Sequence, residues 1–253
     1  MNQVIPPLHT IDDVIKALDA IVREASANGD TSGYFAALYR KVTLKVKEGI
    51  TNNEFEDGPR MEKLDVLFAS RYINAWYAWK NKEPVSASWQ KAFDIAPDYW
   101  PIVLQHLLMG MNAHINLDLG IAAAELSQNK NINSLQNDFN KINSILSSLV
   151  HDVQNNLARI WPRLQWILQK TKGVDDFLVD YSMQLSRDGA WKFAVSLTGT
   201  LPANLPASIA ARDLKVAEKS KIITSDGFIA GIILGIIRIG EKGTVKQKIE
   251  NLL

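Results

Sequence analysis

His114 and Asp118 stand four residues apart in the run LQHLLMGMNAHINLDLGIA, a spacing that sets an imidazole and a carboxylate on one face of a helix. Residues so spaced lie roughly 40° apart around the axis and about 6 Å along it, so both side chains can reach one ion. Leu104, Leu107, Met111 and Ile121 share the stripe, which directs the pair toward the protein interior. An ionised group without a partner in an apolar interior is costly, so a buried carboxylate must meet a cation, a metal or several donors. A functional site meets that need, and so does a set of polar contacts between neighbouring helices.

The same anomaly recurs earlier in the chain. Met61, Asp65, Phe68, Tyr72, Trp76 and Trp79 follow one helical stripe, with Asp65 embedded among apolar and aromatic residues and Glu62 one turn before it. Arg60 and Arg71 supply guanidinium groups whose planar forks suit carboxylates, so a structural network and a contribution to a site both fit. Asn112 and Asn116 flank His114 and suit either ring orientation or helix-to-helix hydrogen bonding. The candidate metal ligands are therefore His114, Asp118 and Asp65. The candidate pocket residues are Arg60, Glu62, Asp65, Arg71, Tyr72, Trp76, Asn112 and Asn116.

Other polar residues carry less. His106 precedes His114 by about 12 Å of helix, too far to share a single ion, and reads as a core histidine. His151 and Asp152 lie off the Leu149, Val153, Leu157 stripe and read as a solvated face, while Asp213, at an apolar edge, is an outside candidate for a remote ligand. The sequence lacks a Glu-x-x-His di-iron motif, a Walker glycine loop, G-x-G-x-x-G and G-x-S-x-G.

Helices must position these residues. Thr10 and Asp13 form a capping box before a first helix that ends near Gly29, and Phe35 to Val46 make a second. Asp57 and Pro59 open a third, broken at Asn81 and Pro84, and a short one covers about Ser86 to Phe93. The apolar run over about 98–127 lacks a polar stripe and is expected to be the central helix. Further helices are expected from Ser134 to Ile160, with a break at Pro162, from about Val174 through Trp191, at Ala207 to Ser220, and at Asp226 to Gly240. Val245 to Leu253 is a short amphipathic tail. No stretch alternates with period two, so the fold class is all-α, an irregular multi-helix bundle. One domain over 1–253 is expected, with a possible C-terminal subregion 204–253 after the proline-containing loop.

The chain has 253 residues, 47% hydrophobic, enough for a large core. Lys and Arg number 28 against 27 Asp and Glu, so no polyanionic partner such as nucleic acid is indicated. Cysteine is absent, leaving His, Asp and Glu as metal ligands. Gly227 to Ile239 is too short to span a bilayer and contains Arg238, and the N-terminus lacks signal-peptide character, so a cytoplasmic location is expected. The seven tryptophans read as core or pocket lining, Trp79 and Trp100 among the latter.

The segments DGPRMEKLDVLFASRY and LQHLLMGMNAHINLDLGIA resemble an uncharacterised family of bacterial all-helical proteins of unknown function. That resemblance implies an all-helical fold and draws attention to Arg60, Glu62, Asp65, Asn112, His114, Asn116 and Asp118 without assigning roles. Helical zinc-dependent phospholipases and nucleases use His-x-x-x-Asp pairs too, but need more histidines than the four present. Three functions fit the residues. One is a metal-dependent hydrolase-like enzyme holding Zn, Mn or Fe; one is a non-catalytic binder of an apolar or amphipathic small molecule; one is an interaction protein with a structural polar core.

Overall fold

The Thr10 hydroxyl accepts from the Asp13 backbone N–H while the Asp13 carboxylate accepts from Thr10 N–H, and this reciprocal cap opens α1 (Ile11–Asn28). The helix closes on Gly29, whose φ of 62° suits a residue without a Cβ. α2 (Gly33–Thr51) follows after a tight turn. Asp57 accepts from Arg60 N–H at 2.9 Å, with Pro59 in the first turn, to start α3 (Gly58–Lys80), and Ser86 caps α4 (Ala87–Asp94).

The computed structural model describes residues 5, 7–128, 130–161, 183–224 and 228–253. The remaining helices are α5 (Val103–Ala113), α6 (Leu119–Leu126), α7 (Gln136–Ile160), α8 (Met183–Thr198), α9 (Leu205–Thr224), α10 (Phe228–Gly240) and α11 (Val245–Leu252), with short 3-10 turns at Ile132–Leu135 and Pro202–Asn204. The protein is all-α, and no strand occurs among the described residues. The break expected at Pro162, the stretch 174–182 and the His151 side chain lie outside what is described, while Asp152 is exposed. The helix expected over 98–127 starts only at Val103, because Pro101 and an extended Ile102 precede it.

That run is not uniform. Between α5 and α6 the chain makes one π turn, His114–Asp118, with Leu119 N–H donating to His114 C=O. All five residues of this turn are buried. Rings of α2, α3 and α4 meet the turn at His114, and Tyr34, Phe35, Tyr39, Tyr72, Trp76 and Trp89 join the main apolar core. α8 and α9 also pack on the turn. A Cβ at Gly120 would stand 2.7 Å from Phe193 and 2.9 Å from the Ala190 carbonyl, so glycine permits the close approach of α8.

The C-terminal segment is docked. Ile249 and Leu252 of α11 enter the main core, and α11 packs on α1, α2 and α7. Glu241 accepts from Val103 N–H at 2.7 Å, capping α5, and pairs with Lys248 at 2.7 Å and Arg238 at 3.1 Å. Trp100 corrects the expectation of a pocket-lining role. It is 63% exposed beside Tyr99, because Ile102, 2% exposed, takes the interior position where the chain enters α5. No helix among the described residues is long and apolar enough to cross a membrane.

Candidate functional site

The π turn presents His114 and Asp118 to α3 and α4. Asp118 accepts from Arg71 Nε at 2.9 Å on Oδ1 and from the Trp89 indole N–H at 2.8 Å on Oδ2, and His114 Nδ1 lies 3.2 Å from the same Oδ2. A carboxylate in an ion pair with a guanidinium has only acceptors to offer, so Nδ1 carries the proton and Nε2 the lone pair. Asp118 is thus engaged from three directions, which makes it the group that orients the imidazole.

Aromatic rings enclose His114. Phe68 stacks on it with centroids 3.6 Å apart and planes 7° apart, Tyr39 meets it edge-on at 4.5 Å, and Phe35 stands at 5.8 Å, Trp89 at 6.0 Å and Tyr72 at 6.1 Å. The segments carrying Asp65 and His114 therefore meet, since Phe68 lies one turn beyond Asp65 on α3. Phe68 is partly exposed while His114 is 2% exposed, so the phenyl ring forms the wall between imidazole and solvent.

Four side-chain atoms of this cluster are buried, Tyr39 Oη, Asp65 Oδ2, Tyr72 Oη and His114 Nε2, and all but Tyr39 Oη, which the Thr43 hydroxyl approaches, lack a hydrogen-bond partner among the described residues. Their residues are 4%, 7%, 0% and 2% exposed. Native interiors leave few such groups, and each calls for an explanation. Burial pushes the Asp65 carboxyl up to about 7, with the Glu62 charge adding to it, and raises both phenols well above their ordinary value. Burial also holds the His114 imidazole below its usual range, against the pull of Asp118, so the ring is neutral at pH 7.

Several expected residues serve elsewhere. Arg60 pairs with Asp138 at 2.9 Å, and Asp138 also accepts from Glu56 and Asp57 N–H, which clamps the start of α3 to α7. Glu62 accepts from Ile11 N–H at 3.1 Å, tying α3 to the start of α1. Trp76 donates its indole N–H to Ser32 at 3.1 Å. Asn112 donates to the Val216 carbonyl at 2.9 Å, Asn116 donates to Asn112, and Arg212 donates to the Asn116 carbonyl at 2.8 Å, so this face joins the π turn to α9. Asp213 accepts from Ala87 and Ser88 N–H and caps α4, which carries Trp89. His106 is separate, packed edge-on against Tyr34 at 5.5 Å, and burial pushes it down to about 3.

Among the described residues no three His, Asp or Glu side chains are grouped to hold a metal ion, so His114, Asp118 and Asp65 do not form such a set. Sequence reasoning missed Trp89 and Tyr39. The spacing of Phe35 and Tyr39 on one face of α2 marks a core stripe, and nothing in the sequence ties that stripe or Trp89 to His114.

Comparison with known proteins adds a family. Residues 11–226 match the family described as "Family of unknown function (DUF5995)". No curated protein and no solved structure matches the chain.

Proposed function

The chain belongs to that family of unknown function, and we propose that its buried cluster is the catalytic centre of a hydrolase-like enzyme working by general base catalysis. The observation that carries this reading is the buried, unpartnered Nε2 of an imidazole whose Nδ1–H is fixed by Asp118. In this mechanism His114 Nε2 takes a proton from a water molecule as its oxygen attacks the substrate, and Asp118 stabilises the imidazolium. The proton then passes to the leaving group, which restores the neutral ring. Arg71 and Trp89 hold Asp118 and are positioning residues.

This reading modifies metal-dependent hydrolysis, the sharper expectation from His114, Asp118 and Asp65. Both Asp118 oxygens already accept hydrogen bonds, which favours a water activated by the imidazole over one activated by an ion. The test is a panel of carboxylic ester, amide and phosphodiester substrates, with nitrogen NMR of the histidine rings. Wild-type turnover is expected to fall roughly 10²- to 10⁴-fold in a folded His114→Gln variant. The His114 ring is expected to show a protonated Nδ1 and a bare Nε2 at pH 7. A proton on Nε2, or turnover unchanged in the variant, would overturn the reading.

A further inference from the structure

Consecutive residues of a helix project about 100° apart, so Arg212 and Asp213 of α9 reach two different neighbours. Arg212 Nε donates to the Asn116 carbonyl at 2.8 Å, inside the π turn, with its guanidinium over the Phe193 ring of α8 at 5.2 Å. Asp213 accepts from Ala87 N–H at 2.6 Å on one carboxylate oxygen and from Ser88 N–H at 2.9 Å on the other, at the first turn of α4. The next residue of α4 is Trp89, whose indole donates to Asp118, back in the π turn. The three elements close a triangle of hydrogen bonds, and α9 supplies two of its sides.

α4 depends on that anchor. It has 8 residues, fewer than the roughly 12–15 at which an isolated helix is even marginal, so tertiary contacts must hold its first turn. The other cap is longer, with Trp89 N–H 3.4 Å from Ser86 Oγ. Asn112 and Gln105 donate to the Val216 and Ile223 carbonyls at 2.9 and 3.0 Å, which fixes α9 along α5. Asp118 has a second holder, Arg71 from α3, bonded to Oδ1. Oδ2 is shared by the Trp89 indole and His114 Nδ1, so displacing Trp89 changes how Oδ2 serves the imidazole.

We propose that α9 governs the His114 site: Arg212 and Asp213 are positioning residues that hold α4 against the π turn and thereby keep the Trp89 indole on Asp118 Oδ2. The proposal deepens the reading of this cluster as a catalytic centre and rests on it for any effect on turnover.

The experiment is proton–nitrogen NMR of the whole protein, following the Trp89 indole N–H and the His114 Nδ1–H. Trp89→Phe assigns the indole signal among the seven tryptophans and removes the donor. Oδ2 then serves Nδ1–H alone, so that hydrogen bond strengthens and its proton signal moves downfield. Asp213→Ala is expected to move the His114 proton the same way and, by removing a helix cap, to speed indole hydrogen exchange roughly fivefold or more. Arg212→Met, which loses the bond to Asn116, should do likewise. In the Trp89→Phe background Asp213→Ala should add no further His114 shift. Asp213→Asn, which keeps one acceptor oxygen, gives the same signature at reduced size should the alanine variant fail to fold.

A folded Asp213→Ala protein with both signals and indole exchange at wild-type values would overturn the proposal. So would a His114 shift that persists in full in the Trp89→Phe background, since Asp213 would then reach the imidazole by another route. The two readings fail separately. Loss of turnover in His114→Gln with unmoved signals in Asp213→Ala sinks the role of α9 alone, whereas moved signals in a protein whose folded His114→Gln variant keeps full turnover sink the catalytic role alone.

Discussion

Asp65 is a carboxyl that the fold has buried, and its titration should be visible in the stability of the whole chain. Its pKa of about 7 lies above the unfolded value near 3.9, so the folded protein holds this proton more tightly than the unfolded chain does. The associated stability is fully present below the unfolded value and is lost as pH rises through about 7. Asp65→Asn, which resembles the protonated acid, should therefore match the wild type near pH 4 and exceed it by on the order of 4 kcal/mol above pH 8. Urea denaturation of both proteins across that range checks this, and a constant difference would show that Asp65 is not desolvated. The same residue illustrates what the sequence made legible. A charged residue on an apolar stripe is visible from periodicity alone, which is how Asp65, His114 and Asp118 stood out. The division of labour within the pair was not visible. The indole N–H that occupies Asp118 comes from Trp89, on another helix, and only tertiary packing brings it there.

At the scale of elements, the caps were readable because each is a local bargain between one side chain and a few backbone N–H groups. Thr10, Asp57 and Ser86 each mark a helix start within a residue of its place. The π turn was not readable, because its residues have ordinary α-helical propensities and an extra residue per turn leaves no compositional mark; such turns are often found at functional sites. What supports this turn is close packing. An added Cβ at Gly110, one residue-turn before His114, would run into the Phe35 ring, which itself meets Tyr72 edge-on at 4.9 Å. Gly110→Ala should therefore push α2 away from α5, cost about 1–3 kcal/mol, and disturb the rings around His114. Thermal unfolding reads the stability and the histidine NMR signals read the site. Wild-type values in both would mean that Phe35 swings aside freely, and that the α2–α5 spacing does not set the cluster.

Across the whole molecule, the helix that holds His114 begins on a contact with the far end of the chain. Glu241 caps the first N–H of α5 and is the partner of the buried Lys248, although the two lie beyond residue 226, where the family match ends. The sequence offered only a short amphipathic tail here, since the pairing of Glu241 with a residue 138 positions earlier has no local signature. Removing one member of a buried ion pair leaves the other uncompensated, which costs about 3–5 kcal/mol, while replacing both by apolar residues of similar volume is close to neutral. Glu241→Gln should accordingly lower the denaturation midpoint strongly, and the double variant Glu241→Met/Lys248→Met should recover most of the loss, less the contribution of the α5 cap, about 1 kcal/mol. If residues 204–253 unfold together with the rest, far-UV circular dichroism and tryptophan fluorescence will report one coincident transition in every variant. An early, partial transition in Glu241→Gln, with the remainder melting at the wild-type midpoint, would instead make the C-terminal helices a separate unit and break the link between this end of the chain and the His114 site.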